Sequence, residues 1–394
     1  MLLRIFQSSL FRVIRREFGR IADNWVLTFV TILGPIVSFL LVAWMFTAAV
    51  VRDLPVTLVD KDHTQLSRKI AGMVDATPAV NIVFQSTSLE EAKSIMNKGK
   101  SDAVLYIPEG MEKNVQKGVQ TELVLYLNNT NVVKGGVIQS QMLTTLSTLS
   151  AYIKVQAMIK RGEQPDAAIQ KAVPIKPDVH LLFNPYGNYA YFLVMGLLPL
   201  LAVVFIFLGT AYAIGIEMKE NTQTAWIQTA ENSITVAIIG KLIPYILLFF
   251  VNLMVMNILL IRVMGTPLNG SFGMILFSEF VLILAYQSMA VLFLAFTVNL
   301  RLTLSLGSAY TMMALTFSGL TFPAMGMVLI ARIFSYIFPY TFWLKIFLSQ
   351  SLRGEPIHEV IEPLLCLLAF ILMGVLAFPT FKRRLTDELW RTRD

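Results

Sequence analysis

Residues 189–216 read YAYFLVMGLLPLLAVVFIFLGTAYAIGI, an apolar run without one Asp, Glu, Lys or Arg. A bilayer core about 30 Å thick takes about 20 such residues as a helix, so this stretch is long enough to cross. Working outward from it, five further stretches have the same character: Trp25 to Val51, Ile234 to Met264, Phe272 to Val298, Leu302 to Ile330 and Val360 to Pro379. Between the first crossing and the other five lies a polar block, residues 52–186. The pattern predicts an α-helical polytopic membrane protein with six transmembrane helices and an α/β extracytoplasmic domain inserted between helices 1 and 2.

Composition excludes a soluble globule. Hydrophobic residues make up 56% of the 394 residues, charged residues only 14%, and the mean hydropathy is +0.65;. Residues 1–24 set Leu2, Leu3, Ile5, Phe6, Leu10, Phe11, Ile14 and Phe18 against Arg4, Arg12, Arg15, Arg16 and Arg20. That spacing suits an amphipathic helix in the headgroup layer, and it serves equally as a basic flank that fixes topology. Basic residues precede the first crossing and follow the last, at Lys382, Arg383, Arg384, Arg391 and Arg393 of the 382–394 tail. By the positive-inside rule both termini are cytoplasmic and the polar block is outside. The net charge of +7 is accounted for by these flanks beside anionic lipid, so no nucleic-acid partner is needed;.

The polar block carries strand patterns at Val56 to Val59, Val80 to Phe84, Ala103 to Ile107 and Leu123 to Leu127;. Helical patterns run over Leu89 to Lys98 and Asn131 to Arg161, and Pro165, Pro174, Pro177 and Pro185 argue against regular helix beyond;. The single cysteine, Cys366, falls in the last apolar stretch, which rules out a disulfide framework;.

Chemistry is sparse. Asp60, Asp62 and His63 have the residue types of a metal site, but their place after a strand reads as a capped turn opening a helix at Thr64;. Gly99, Lys100 and Ser101 lack the first glycine of a phosphate loop;. No catalytic or metal residue is assigned. Polar groups inside the crossings are few, chiefly Asn252, Asn257, Glu279, Gln287 and Ser288. Gln287 and Ser288 can hydrogen-bond between helices or touch a substrate. So few titratable groups favour an energy source on another chain.

The connection after the second crossing, residues 217–233, is amphipathic if helical, with Thr222, Trp226 and Thr229 on one side;. Glu217, Lys219, Glu220, Asn221 and Thr222, followed by Gly240, Lys241, Leu242 and Pro244, resemble the signature after the second span in type-2 permeases of ATP-binding cassette exporters. Ser318, Gly319, Leu320, Thr321, Phe322 and Pro323, then Phe338, Pro339 and Tyr340, are similar to that family's second motif. The resemblance covers nearly the whole chain. It departs at Asn221, where a glycine is usual, and at Gly326, where a Met-Pro pair is common.

The resemblance implies a permease subunit, not an enzyme, in a bacterial inner membrane. Its partners would be cytoplasmic ATPase subunits, a second permease copy or paralogue, membrane lipid and a periplasmic adaptor. ATP and Mg would sit on the ATPase, with no cofactor on this chain. Glu217, Lys219, Glu220, Asn221, Thr222, Gln223, Trp226 and Gln228 would couple to that ATPase. Ser318, Gly319, Phe322 and Pro323 would lie near the outer end of a substrate path, with residues 331–347 as a re-entrant segment. The cargo implied is amphipathic or hydrophobic, a drug or a lipid. A membrane-anchored receptor or scaffold is the competing class, although anchoring needs only one crossing.

Overall fold

Proline 35 shapes the start of the first crossing. In the computed structural model, which describes residues 2–47, 51–174, 180, 182–184 and 187–386, α1 (Leu2–Asp23) is followed by α2 (Trp25–Thr28), a π turn (Phe29–Leu33) and α3 (Gly34–Met45). Pro35 has no N–H to offer the carbonyl of Thr31, four residues back;. That carbonyl accepts instead from the Asn252 side chain at 2.8 Å. A helix break and a helix contact are thus one feature.

The chain divides into two compact units, Met1–Ala49 with Leu182–Asp394, and Val50–Leu181. The second unit contains β1 (Leu54–Asp60), α4 (Gln65–Asp75), β2 (Val80–Gln85), α5 (Leu89–Asn97), β3 (Ala103–Ile107), α6 (Met111–Gln116), β4 (Val124–Leu127), α7 (Val132–Lys160) and α8 (Pro165–Ala172). Its sheet has the order β2-β1-β3-β4. β1 runs parallel to both neighbours, with Leu54 opposite Val80 and Val56 opposite Ala103, while β4 is antiparallel to β3. Central β1 and β3 are buried along nearly their whole length, as parallel strands covered by helices must be;. Ile70 and Val74 of α4 and Ile138, Met142 and Leu149 of α7 close one core against Val56, Leu58 and Leu105. Ala92 of α5 packs with Val59 and Val104 in a second cluster.

Each of the four strands expected from the sequence is present. The stretch after 164 differs from expectation: Pro165 opens α8 at its first turn, where a missing N–H costs nothing;. Pro177 and Pro185 lie outside the described residues. The Asp60–His63 cluster is a turn. Asp60 accepts from the backbone N–H groups of Asp62 and His63 and from the Ser67 hydroxyl, and Thr64 caps α4 in a reciprocal box with Ser67;.

The first unit continues with α9 (Tyr189–Lys219), α10 (Gln223–Thr229), α11 (Ile234–Ile258, extended by a π turn to Val263), α12 (Phe272–Thr297), α13 (Leu300–Phe317), α14 (Leu329–Ser335), α15 (Pro339–Leu348) and α16 (Ile361–Thr386). Among the described residues five helices are long and apolar enough to cross a membrane: Trp25–Met45, Tyr189–Lys219, Ile234–Val263, Phe272–Thr297 and Ile357–Leu385. The helix expected over 302–330 is corrected in extent. Its helix α13 ends at Phe317, and Arg301, Thr303, Ser305, Ser308 and Thr311 dilute its apolar run. Gly319, at φ +88, turns the chain in a conformation that L side chains rarely adopt, and Pro323 leads into a short 3₁₀ turn at Ala324–Gly326;. Residues 331–347 form parts of two short helices, α14 and α15, and most of α15 is buried.

Helix α1 does not lie on the bundle by its apolar face alone. From residue 9 onward its buried positions are Ser9, Val13, Glu17 and Ile21, one ridge at a spacing of four, while Phe11 and Phe18 remain 66% and 42% exposed;. Gly240 lets this ridge onto α11, since a Cβ there would come within 2.9 Å of Val13.

Candidate functional site

The ridge of α1 brings a carboxylate into the protein. Glu17, Glu217 at the end of α9 and Lys241 of α11 have side chains with no exposure at all. The Lys241 ammonium lies 2.5 Å from Glu17 Oε2 and 3.0 Å from Glu217 Oε1. Arg16 grips Glu217 with both nitrogens, at 2.6 and 3.1 Å, and Arg20 meets the same carboxylate;. The Thr222 hydroxyl donates to Glu217, and Tyr245 donates to Glu17 at 3.0 Å. Burial alone would lower the pKa of Arg16, but the hydrogen bond and charge of Glu217, joined by the charge of Glu17, raise it above its ordinary value;. Three cations and two carboxylates therefore neutralise one another to within a single charge, and α1, α9 and α11 are tied together by groups that cannot separate without exposing a buried charge.

Trp226 closes the network on the side of α10. It is fully buried, its ring lies 4.8 Å from the Lys241 ammonium, and its indole N–H donates to the carbonyl of Ala237 at 3.2 Å;. Val13, Met218, Trp226, Ala237, Leu294 and Phe381 form one apolar cluster around it. Short α10 is held at both ends by left-handed residues, Asn221 before it (φ 57) and Glu231 and Asn232 after it (φ 54 and 62). Asparagine is among the few residues besides glycine that take this conformation readily. Arg12 of α1 pairs with Glu231, adding a second tie.

The residues expected to meet a partner thus separate into two sets. Glu217, Thr222 and Trp226 point inward and belong to the network; Trp226 seats in this chain's own core and is not free to enter a partner's groove. Gln223 is half-buried, with its side-chain oxygen unpartnered. Lys219, Glu220, Asn221 and Gln228 are exposed, together with Thr224 and Ala225, which sequence reading had not singled out. Glu220 is held by Arg20 at 3.3 Å.

The residues expected along a substrate path are not brought into one site. Ser318 closes α13, its hydroxyl donating to Leu315 O at 2.7 Å, and Phe322 is 53% exposed beyond it. Gln287 and Ser288 instead line a groove of about 280 Å³ whose walls are α11, α12 and α16. Elsewhere Glu279 accepts from Asn257 at 2.9 and 3.1 Å, a buried contact between α11 and α12. Among the described residues no group of three His, Cys, Asp or Glu could hold a metal.

The sequence profile described as ABC-2 family transporter protein matches residues 25–378, most of the chain. The chain belongs to the ABC-2 transporter family. Two relatives of this ABC-2 chain, each described as "Probable multidrug ABC transporter permease YbhS", come from Escherichia coli strain K12 and Escherichia coli O157:H7. Each is 24% identical over 206 residues, a match covering 52% of this chain and 54% of the relative. The chain thus spans about half the length of the relatives it matches.

In this ABC-2 chain the Gly240 and Lys241 positions of the first motif have separate physical duties: one admits α1 and the other neutralises the carboxylate that α1 carries. Glu17 and Tyr245 were missed by sequence reading. A lone Glu among five arginines looks like a solvated charge until the i, i+4 ridge Ser9, Val13, Glu17, Ile21 is recognised;.

Proposed function

We propose that the chain is the transmembrane permease subunit of an ATP-binding cassette exporter in a bacterial inner membrane, moving an amphipathic or hydrophobic cargo out of the cytoplasm or inner leaflet. ATP and Mg are handled by separate ATPase subunits, and a second permease copy or paralogue completes the path. Both termini and α10 face the cytoplasm, and residues 52–186 face outward, where a periplasmic adaptor can reach them. Helix α13, 18 residues long and so about 27 Å, serves as the sixth crossing;.

The observation that carries this reading is the two-sidedness of residues 219–228. One side offers Lys219, Glu220, Asn221 and Gln228 to a partner, and the other is fixed through Trp226 to the Lys241, Glu17 and Glu217 network. A push on the exposed side is transmitted to α1, α9 and α11 together, because the ion pairs do not let them slide independently. Ser318, Gly319, Phe322 and Pro323 break the chain at the outer end of α13 and form the outward rim of the path.

Co-expression of this chain with candidate ABC ATPase subunits from the same organism, followed by reconstitution in vesicles and an ATP hydrolysis assay, tests the proposal. Co-purification with hydrolysis that is lost on Glu220→Arg is the expected result. A folded chain that never captures an ATPase overturns it and favours an anchored receptor.

A further inference from the structure

The groove between α11, α12 and α16 holds an anomaly. Gln287 is 1% exposed, and neither its amide nitrogen nor its carbonyl oxygen has a hydrogen-bond partner. A buried carboxamide left unmatched on both atoms is costly, and such groups are as a rule satisfied by protein, water or ligand. The groove that it lines is otherwise apolar apart from the hydroxyls of Thr235 and Ser288, and no charged side chain is among its walls. At its mouth Ile239 and Val375 are 41% and 60% exposed.

We propose that this groove is the loading site for a neutral, bilayer-dissolved amphiphile whose amide or hydroxyl group pairs with Gln287. The chemistry follows from the lining. An apolar body fits the aliphatic walls, a group that both donates and accepts satisfies a carboxamide, and a charged head would find no counter-ion there. Neutral lipids and neutral drugs meet this description, whereas phospholipid headgroups do not.

The position explains why such a site would be a loading site. Ile238 and Val291 belong at once to the groove and to the apolar cluster around Trp226, and Leu242 and Phe378 line the groove while packing against that cluster. Lys241 in the ion-pair network is followed directly by Leu242 in the groove wall. Any displacement of the network therefore reshapes the groove, and occupancy bears on the network in return. This inference rests on the export reading for its loading role, but the existence of the site does not.

The test uses the full chain in phosphatidylcholine vesicles with two photoactivatable probes, a long-chain alkyl amide carrying a diazirine and a hydrocarbon of equal length carrying the same diazirine. The amide probe is expected to label α11, α12 and α16 about tenfold more than the hydrocarbon, the ratio that one matched donor-acceptor pair supports. Gln287→Leu should bring that ratio to one, and Ile239→Trp, which fills the mouth without touching Gln287, should suppress labelling by both probes. Equal labelling by the two probes in the native chain, or a ratio indifferent to Gln287→Leu, overturns the site. With the ATPase subunits bound, ATP should deplete the amide label; unchanged labelling during active hydrolysis overturns the loading role. Failure to capture any ATPase removes the export reading while the probe ratio still reports on the site.

Discussion

Lys241 and Glu17 form an ion pair of 2.5 Å between side chains with no exposure, across 224 positions of sequence. A pair this buried is hard to read as added stability, since an apolar replacement of both often does as well. It is better read as a constraint on which surfaces stay together: α1 cannot leave α11 without stranding a charge in an apolar cluster.

Lys241→Met should therefore be severe. It leaves Glu17 with the Tyr245 hydroxyl at 3.0 Å and the more distant Arg16 guanidinium at 3.8 Å, and removing one partner of a buried pair costs about 3–5 kcal/mol;. The double variant Glu17→Gln with Lys241→Met should recover most of the loss. Thermal unfolding of the detergent-extracted chain, followed by size-exclusion chromatography, measures both, and a double variant no better than the single would refute the pairing.

Glu220→Arg and Trp226→Ala should separate docking from folding. Glu220 is exposed, and its pair with Arg20 contributes at most about 1 kcal/mol, so Glu220→Arg should leave the melting temperature nearly unchanged while ATPase capture falls;. Trp226→Ala empties a fully buried site and should cost about 3–5 kcal/mol;. Equal melting temperatures for the two variants would contradict this division.

Asn252→Ala should cost about 1 kcal/mol, because the carbonyl of Thr31 loses the side-chain donor that stands in for the N–H that Pro35 lacks;. Pro35→Ala supplies an N–H at that position. In a double-mutant cycle the two changes should couple, the Asn252→Ala loss shrinking in the Pro35→Ala background. Strict additivity would disprove the exchange of partners.

The sheet-bearing unit should be acid-sensitive at Asp62. Burial raises the pKa of this carboxyl, but hydrogen bonds from the Thr64 hydroxyl and from the backbone N–H groups of Glu112, Met111 and Gly110 outweigh burial, and the net shift is downward. A depressed folded-state pKa contributes stability above the unfolded value, near pH ~4, and loses it as pH falls through the folded value. Hydrogen exchange of the α4 and α6 amides in the full chain should rise over that acid range, and Asp62→Asn should flatten the rise. A variant that follows the native acid profile would rule out Asp62 as the titrating group.

Sequence pattern carried the second unit well, because turn residues are local signals and parallel strands buried on both faces leave short continuous apolar runs;. The crossing at 302–330 was misjudged in length because hydropathy does not register that Gly319 sits at positive φ. Trp226 was read as available to a partner for a related reason. One aromatic residue on a helix as short as Gln223–Thr229 fits either side, and only the Lys241 ammonium and the Ala237 carbonyl decide it. Gln287 was open between helix contact and ligand, and neither of its side-chain polar atoms meets a partner on a neighbouring helix. Glu17 was invisible because its meaning depends on a lysine 224 positions later.

That separation sets an order on the birth of the protein. Helix α1 is made before α11, and the Lys241 ammonium does not exist for its carboxylate until the ribosome has passed α11. Until then Glu17 lacks its closest counter-charge, and the ridge of α1 lacks the surface that Gly240 opens to it. A chain interrupted before residue 241 therefore lacks the ammonium that seats the Glu17 carboxylate, and α1 is without its tie to α11. The latch thus closes only in a chain long enough to include α11.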